Sequence, residues 1–136
     1  MAEKLNFSLV SPAAELVSSD VDMVVVPGTE GDFGVLAQHA PVISMLRPGF
    51  VTVHNDNDAP EKIFVYKGFA EVTPTSLTVL TEEAIPASDL KNSDVFAQRL
   101  KNAEEDLSVA QTAEDKAAAE DEISHMQAIQ AAVAEL

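Results

Sequence analysis

The sequence predicts a β-sandwich followed by an α-helical hairpin, and three observations carry that reading. All five glycines and all seven prolines fall at or before position 86, while the last fifty residues hold twelve alanines. Gly and Pro punctuate turns and Ala is the best helix former, so the chain changes structural class near Pro86. Apolar residues recur at period 2 in the first part and at spacings of 3 and 4 in the second, the rhythms of strand and helix. Turn signals in the first part are also too closely spaced for helical crossovers, which favours antiparallel pairing. The expected domains are residues 1–86 and 87–136, joined by Pro86-Ala87-Ser88-Asp89 as a linker.

Taken in order, Leu5, Phe7 and Leu9 alternate with Asn6 and Ser8 as in a half-buried strand. Further strands are expected at Val21–Val26, Val42–Leu46, Phe50–Val53, Ile63–Tyr66 and Leu77–Leu80. Arg47-Pro48-Gly49-Phe50 suits a type II turn, with Pro fixing φ and Gly taking positive φ. In the second part Phe96, Leu100, Ala103, Leu107 and Ala110 share one helix face, and Met126, Ile129, Val133 and Leu136 share another. Thr112, with Asp115 three residues on, resembles a capping box and marks the start of a second helix. One long helix is the alternative, since no Gly or Pro interrupts the segment.

Composition excludes several functions. The 136 residues carry 23 acids against 8 bases, a formal net charge of −15. Binding nucleic acid or an anionic lipid surface needs clustered Lys and Arg, which are missing. The absence of Cys removes disulfides and thiolate chemistry. No apolar run reaches the roughly 18 residues of a membrane span, and the start lacks a signal or transit pattern, so a soluble protein without membrane insertion is expected.

Candidate chemistry is sparse. His39, His54 and His125 have no ligand spacing and read as structural or exposed, so no metal is expected. His54-Asn55-Asp56-Asn57-Asp58 alternates acids like a calcium loop but lacks its glycine and distal Glu, and reads as a solvated hairpin turn. The Gly-rich segment Val26–Val35 has no Lys for phosphate, and Glu30 and Asp32 would repel it. Its three glycines suit a tight, rigid loop. No nucleophile elbow is present, and Glu82-Glu83 would point to opposite faces of a strand. No catalytic residues and no cofactor are expected.

The same Gly-rich segment carries a resemblance. Val25–Leu36, His39-Ala40-Pro41 and Leu46-Arg47-Pro48-Gly49 closely resemble the epsilon-subunit family of F-type ATP synthases, and Phe7–Pro12, Gly68–Val72 and Thr78–Ala84 match it in the same order. The resemblance covers about residues 5–86 in several separated motifs, and the last fifty residues match mainly in length and helical character. It implies a sandwich of about ten antiparallel strands and a two-helix hairpin. It also implies a place in the central stalk, between the gamma subunit and the c-subunit ring, coupling proton flow to ATP synthesis as the rotor turns. The loop Glu30, Gly31, Asp32 and Phe33 would face the c ring, and Ser11 and His39 would face gamma. The lack of a transit pattern favours a bacterial source over a mature organellar chain, and with the resemblance it implies a peripheral position on the cytoplasmic face of the inner (plasma) membrane. A free-standing β-sandwich binding module with a helical oligomerisation tail is what composition alone would support.

Two departures from the family pattern affect regulation. In many relatives the hairpin extends toward the alpha/beta catalytic head and inhibits ATP hydrolysis, partly through basic residues. Here residues 87–136 hold four bases and eleven acids, a difference of −7, so contact with an acidic partner would be weak or transient. Some relatives bind ATP through an Asp-x-x-Arg pattern on the first helix. Here Asp94 and Arg99 are five apart and would not share a helix face, so no ATP site is expected.

Overall fold

The computed structural model describes residues 3–56, 58–91 and 93–136. The chain divides into two compact units, Met1–Ala87 and Ser88–Leu136. Among the described residues the first contains eight strands: β1 (Leu5–Val10), β2 (Glu15–Val21), β3 (Met23–Gly28), β4 (Gly31–Leu36), β5 (Val42–Met45), β6 (Gly49–His54), β7 (Glu61–Val72) and β8 (Ser76–Pro86). They are hydrogen-bonded in the order β2-β1-β8-β7-β6-β3-β4, with β5 also pairing with β7.

The two long strands make the sandwich. The first arm of β7 pairs with β6 (Val65↔Gly49, Glu61↔Val53), and its second arm pairs with β5 (Phe69↔Met45, Val72↔Val42). Between the arms Lys67 (φ +54°) and Gly68 (φ +142°) take left-handed backbone. The bend inverts the faces, so Ile63 and Val65 point into the core on one arm and Ala70 and Val72 on the other. β8 follows in unbroken register from Ile63↔Pro86 to Val72↔Leu77. Leu5, Phe7, Leu9, Leu77 and Val79 fill the same core, each fully buried, and each such side chain contributes about 1.5–3 kcal/mol.

Eight strands stand where about ten are expected, because β7 and β8 each run through the bend as one strand serving both layers. Antiparallel pairing also fails at one place. β1 and β8 run parallel (Phe7↔Leu77), and the six strands between them supply the crossover that a helix would otherwise provide. The expected strand Val21–Val26 divides at Asp22 into the end of β2 and the start of β3. The type II turn is not formed. Gly49 lacks positive φ and opens β6, and a Cβ there would meet Pro27 Cβ at 3.1 Å, so close approach explains the glycine.

After α1 (Ala87–Leu90), whose first residue closes the first unit, the second unit holds α2 (Ser93–Val109) and α3 (Ala113–Ala134). The expected linker is therefore partly helical, since α1 is a single turn that begins at Ala87. Thr112 is the N-cap of α3, its hydroxyl accepting from the Asp115 N–H at 3.0 Å, so two helices form and not one. Ala103, Ala119, Met126, Ile129 and Ala132 are buried. Two stripe positions are corrected: Ala110 lies past the end of α2, and Leu136 lies past α3 and is exposed.

Candidate functional site

The Gly-rich segment forms the β3–β4 hairpin, closed by Thr29 and Glu30 between the paired Gly28 and Gly31. Only Gly31 of its three glycines has positive φ (+132°). Gly28 is explained by crowding, because a Cβ would lie 2.9 Å from the Gly31 carbonyl oxygen and 3.0 Å from the Phe33 ring. Phe33 packs against the core, while Glu30, Gly31 and Asp32 are exposed.

Arg47 anchors this tip. Its Nη1 donates to the Gly28 carbonyl at 2.6 Å, its Nη2 donates to the Asp32 carboxylate, and its backbone N–H reaches the Pro27 carbonyl at 3.0 Å. Thr29 N–H donates to the Met45 carbonyl at 3.0 Å, which lays the end of β5 beside the tip. Asp32 is thus paired with Arg47, whereas Glu30 has no ion-pair partner among the described residues.

The tip, His39 and β5 together line a shallow groove of about 620 Å³. His39 is half-buried with Nδ1 at 2.7 Å from the Ala40 carbonyl oxygen. The β5 side of the groove is apolar and open, with Ile43 70% and Met45 60% exposed. The sequence marks Val42–Leu46 only as a strand, and of these five residues only Leu46 is buried. Several exposed apolar side chains on one short strand make it a candidate interaction surface.

Ser11 lies in a second groove, of about 320 Å³, lined by Val10, Pro12, Phe69 and Leu80 among others. It closes the β1–β2 reversal through reciprocal backbone bonds with Ala14, at 3.0 and 3.2 Å. Phe69 is the direct cross-strand partner of Met45, so the two grooves are neighbours across one ladder position. Glu30, Asp32 and His39 therefore share one groove, and Ser11 belongs to the next.

The remaining sequence candidates are dispersed. Asp94 is exposed in the first turn of α2, while Arg99 bonds Glu122 of α3 through Nε (3.0 Å) and Nη2 (2.8 Å). Among the described residues no three His, Cys, Asp or Glu groups converge as a metal site. Of the calcium-like loop, Asn57 lies outside the described residues, while Asn55 and Asp56 both accept from Lys4 Nζ at 2.8 Å, and Asp22 Oδ1 lies 2.7 Å from the same ammonium.

The profile of the β-sandwich domain of the ATP synthase delta/epsilon chain matches residues 4–87. The ATP synthase epsilon chain of Paramagnetospirillum magneticum is 51% identical over 134 residues, covering 98% of this chain and all of that one. That of Parvibaculum lavamentivorans is 47% identical over 126 residues, covering 93% and 95%. This chain belongs to the ATP synthase epsilon-chain family. Two solved structures share the fold of this epsilon-family chain. One is a chain of the Euglena gracilis mitochondrial ATP synthase, an OSCP/F1/c-ring assembly, with TM-score 0.73 and 21% identity over 98% of this chain and 83% of that one. The other comes from the central stalk and c ring of the Tetrahymena thermophila mitochondrial ATP synthase, with TM-score 0.65 and 14% identity over 97% and 98%.

Proposed function

We propose that this epsilon-family chain is a rotor subunit of the central stalk, gripping gamma and the c ring and so coupling proton flow to ATP synthesis. The observation that carries the reading is the groove where an anchored acidic tip meets an exposed apolar strand. Glu30 and its neighbours face the polar loops of the c ring, and His39 and the Ser11 groove face gamma. A rotor contact must transmit strain without deforming, and a tip tied to a close-packed sandwich by Arg47 meets that need. The chain contributes no catalytic residue of its own. It is held at the cytoplasmic face of the bacterial inner membrane by its partners, and no helix among the described residues is long and apolar enough to cross a membrane.

The hairpin of residues 87–136, the second domain in this reading, inhibits weakly. Its net charge of −7 opposes an acidic partner, and Arg99 is engaged by Glu122. The test is ATP hydrolysis by the epsilon-depleted catalytic sector, reconstituted with the full chain or with one stopped after Pro86, with bound chain quantified. Equal binding and equal hydrolysis are expected. Suppression by the full chain alone would refute weak inhibition, and failure of both to bind would refute the rotor assignment.

A further inference from the structure

We infer that Arg47 is the positioning residue of the c-ring contact: its guanidinium fixes the hairpin tip and cancels Asp32, leaving Glu30 as the tip's recognition charge. This rests on the c-ring reading proposed above. Gly28 is the last residue before the turn and Asp32 the second after it, so one side chain bridges the reversal from both arms. The two bonds need a planar fork, which Lys lacks. As an exposed ion pair the contact adds little stability, so its consequence is geometric. Pinning the tip lowers the ordering cost when a partner docks. The partner chemistry that fits is a polar loop offering one basic side chain to Glu30, with Ile43 and Met45 covering its apolar flank.

Charge and geometry make opposite predictions, which gives the test. If the tip acted only through its net charge, R47A would tighten binding to a basic loop and D32N would weaken it. If the bracket positions the tip, both weaken. The measurement is the affinity of the full chain for epsilon-depleted ATP synthase in membrane vesicles and, in parallel, for isolated catalytic sector that contains gamma but no c ring. R47A and D32N are each expected to weaken vesicle binding on the order of three- to tenfold, with binding to the isolated sector unchanged. The R47A/D32N double variant should be no worse than the weaker single, because both act through one contact, whereas E30Q should multiply with either. Tighter or unchanged binding by R47A, or losses that multiply in the double variant, would overturn the inference. If circular dichroism shows R47A unfolded, R47K, which keeps the charge and loses the fork, is measured instead and should weaken binding similarly. Wild-type chain that binds vesicles and isolated sector equally, with E30Q neutral in both, would instead overturn the c-ring reading.

Discussion

Gly68 is the residue on which the sandwich turns. Its φ of +142° is costly for any side chain, and a Cβ would lie 1.9 Å from the Leu80 carbonyl oxygen of the partner strand. Relief would require opening the β7–β8 ladder at the point where both strands change layers. Gly68→Ala is therefore expected to cost at least ~3 kcal/mol, or to prevent folding, measured by urea unfolding. A midpoint equal to wild type would refute the account. Lys4 illustrates a different kind of single-residue control, since its ammonium gathers Asp22, Asn55 and Asp56 and ties the chain start to the β6–β7 turn. The hydrogen bond from Lys4 lowers the Asp22 pKa below 3.8, and the bond to Asp22 raises that of Lys4 above 10.5. A lowered acid stabilises the fold above its unfolded pKa and loses that effect as pH falls through the folded value. A raised base does the reverse at high pH. The Tm difference between wild type and K4M should therefore be flat from roughly pH 5 to 9 and shrink toward both pH 3 and pH 11. A difference that grows at either extreme would sink the clamp. Neither Arg47 nor Lys4 was readable as a fastener in the sequence, because their partners lie 15 and 19 residues away for Arg47 and, for Lys4, 51 and 52 residues away at Asn55 and Asp56 and 18 (22 − 4) at Asp22.

Among the elements, those with a regular apolar rhythm were legible. β1, β6, α2 and α3 largely follow their period-2 or 3-and-4 spacing, with Leu5, Phe7 and Leu9, Val51 and Val53, Ala103, and Met126 and Ile129 buried at those positions. β2 escaped detection because Glu15–Asp20 is nearly all exposed on a sheet edge, where nothing requires apolar alternation. β4 was hidden inside the Gly-rich segment, where its glycines read as loop. The long strands were visible only in part, since the bend in β7 inverts its faces and breaks the alternation that identifies a strand. The break between α2 and α3 depended on one polar signal, Thr112, and the structure uses it as the cap. Thr112→Ala is expected to destabilise the hairpin by about 1 kcal/mol, with Thr112→Ser nearly neutral, because only the hydroxyl's acceptor role is lost. Helical circular dichroism during thermal unfolding reads this directly. Equal melting of the Ala and Ser variants would show that packing alone sets the break.

For the molecule as a whole, charge is the property that the sequence states most plainly. The net −15 divides into −7 for residues 87–136 and, by difference, −8 for residues 1–86, so both parts are acidic. The candidate groove was only half legible. The acidic tip and His39 stand out through the family motif, whereas Ile43, Met45 and Phe69 become a surface only once β5 is placed beside β7 with its side chains exposed. The same charge argument bears on nucleotide. Triphosphate needs concentrated positive charge, yet Arg99 is held by Glu122, Lys116 is the one base in α3, and the groove between the helices is lined by Asp106, Asp115 and Glu122. Calorimetric titration of the full chain with ATP is expected to give a Kd no tighter than about 1 mM. The salt response separates repulsion from mere absence of a site. Lower ionic strength lengthens the range of like-charge repulsion, so any residual binding should weaken as salt is removed. Micromolar binding, or binding that strengthens at low salt, would mean that the few bases of the hairpin converge on phosphate after all, and that its acidity does not govern its ligand.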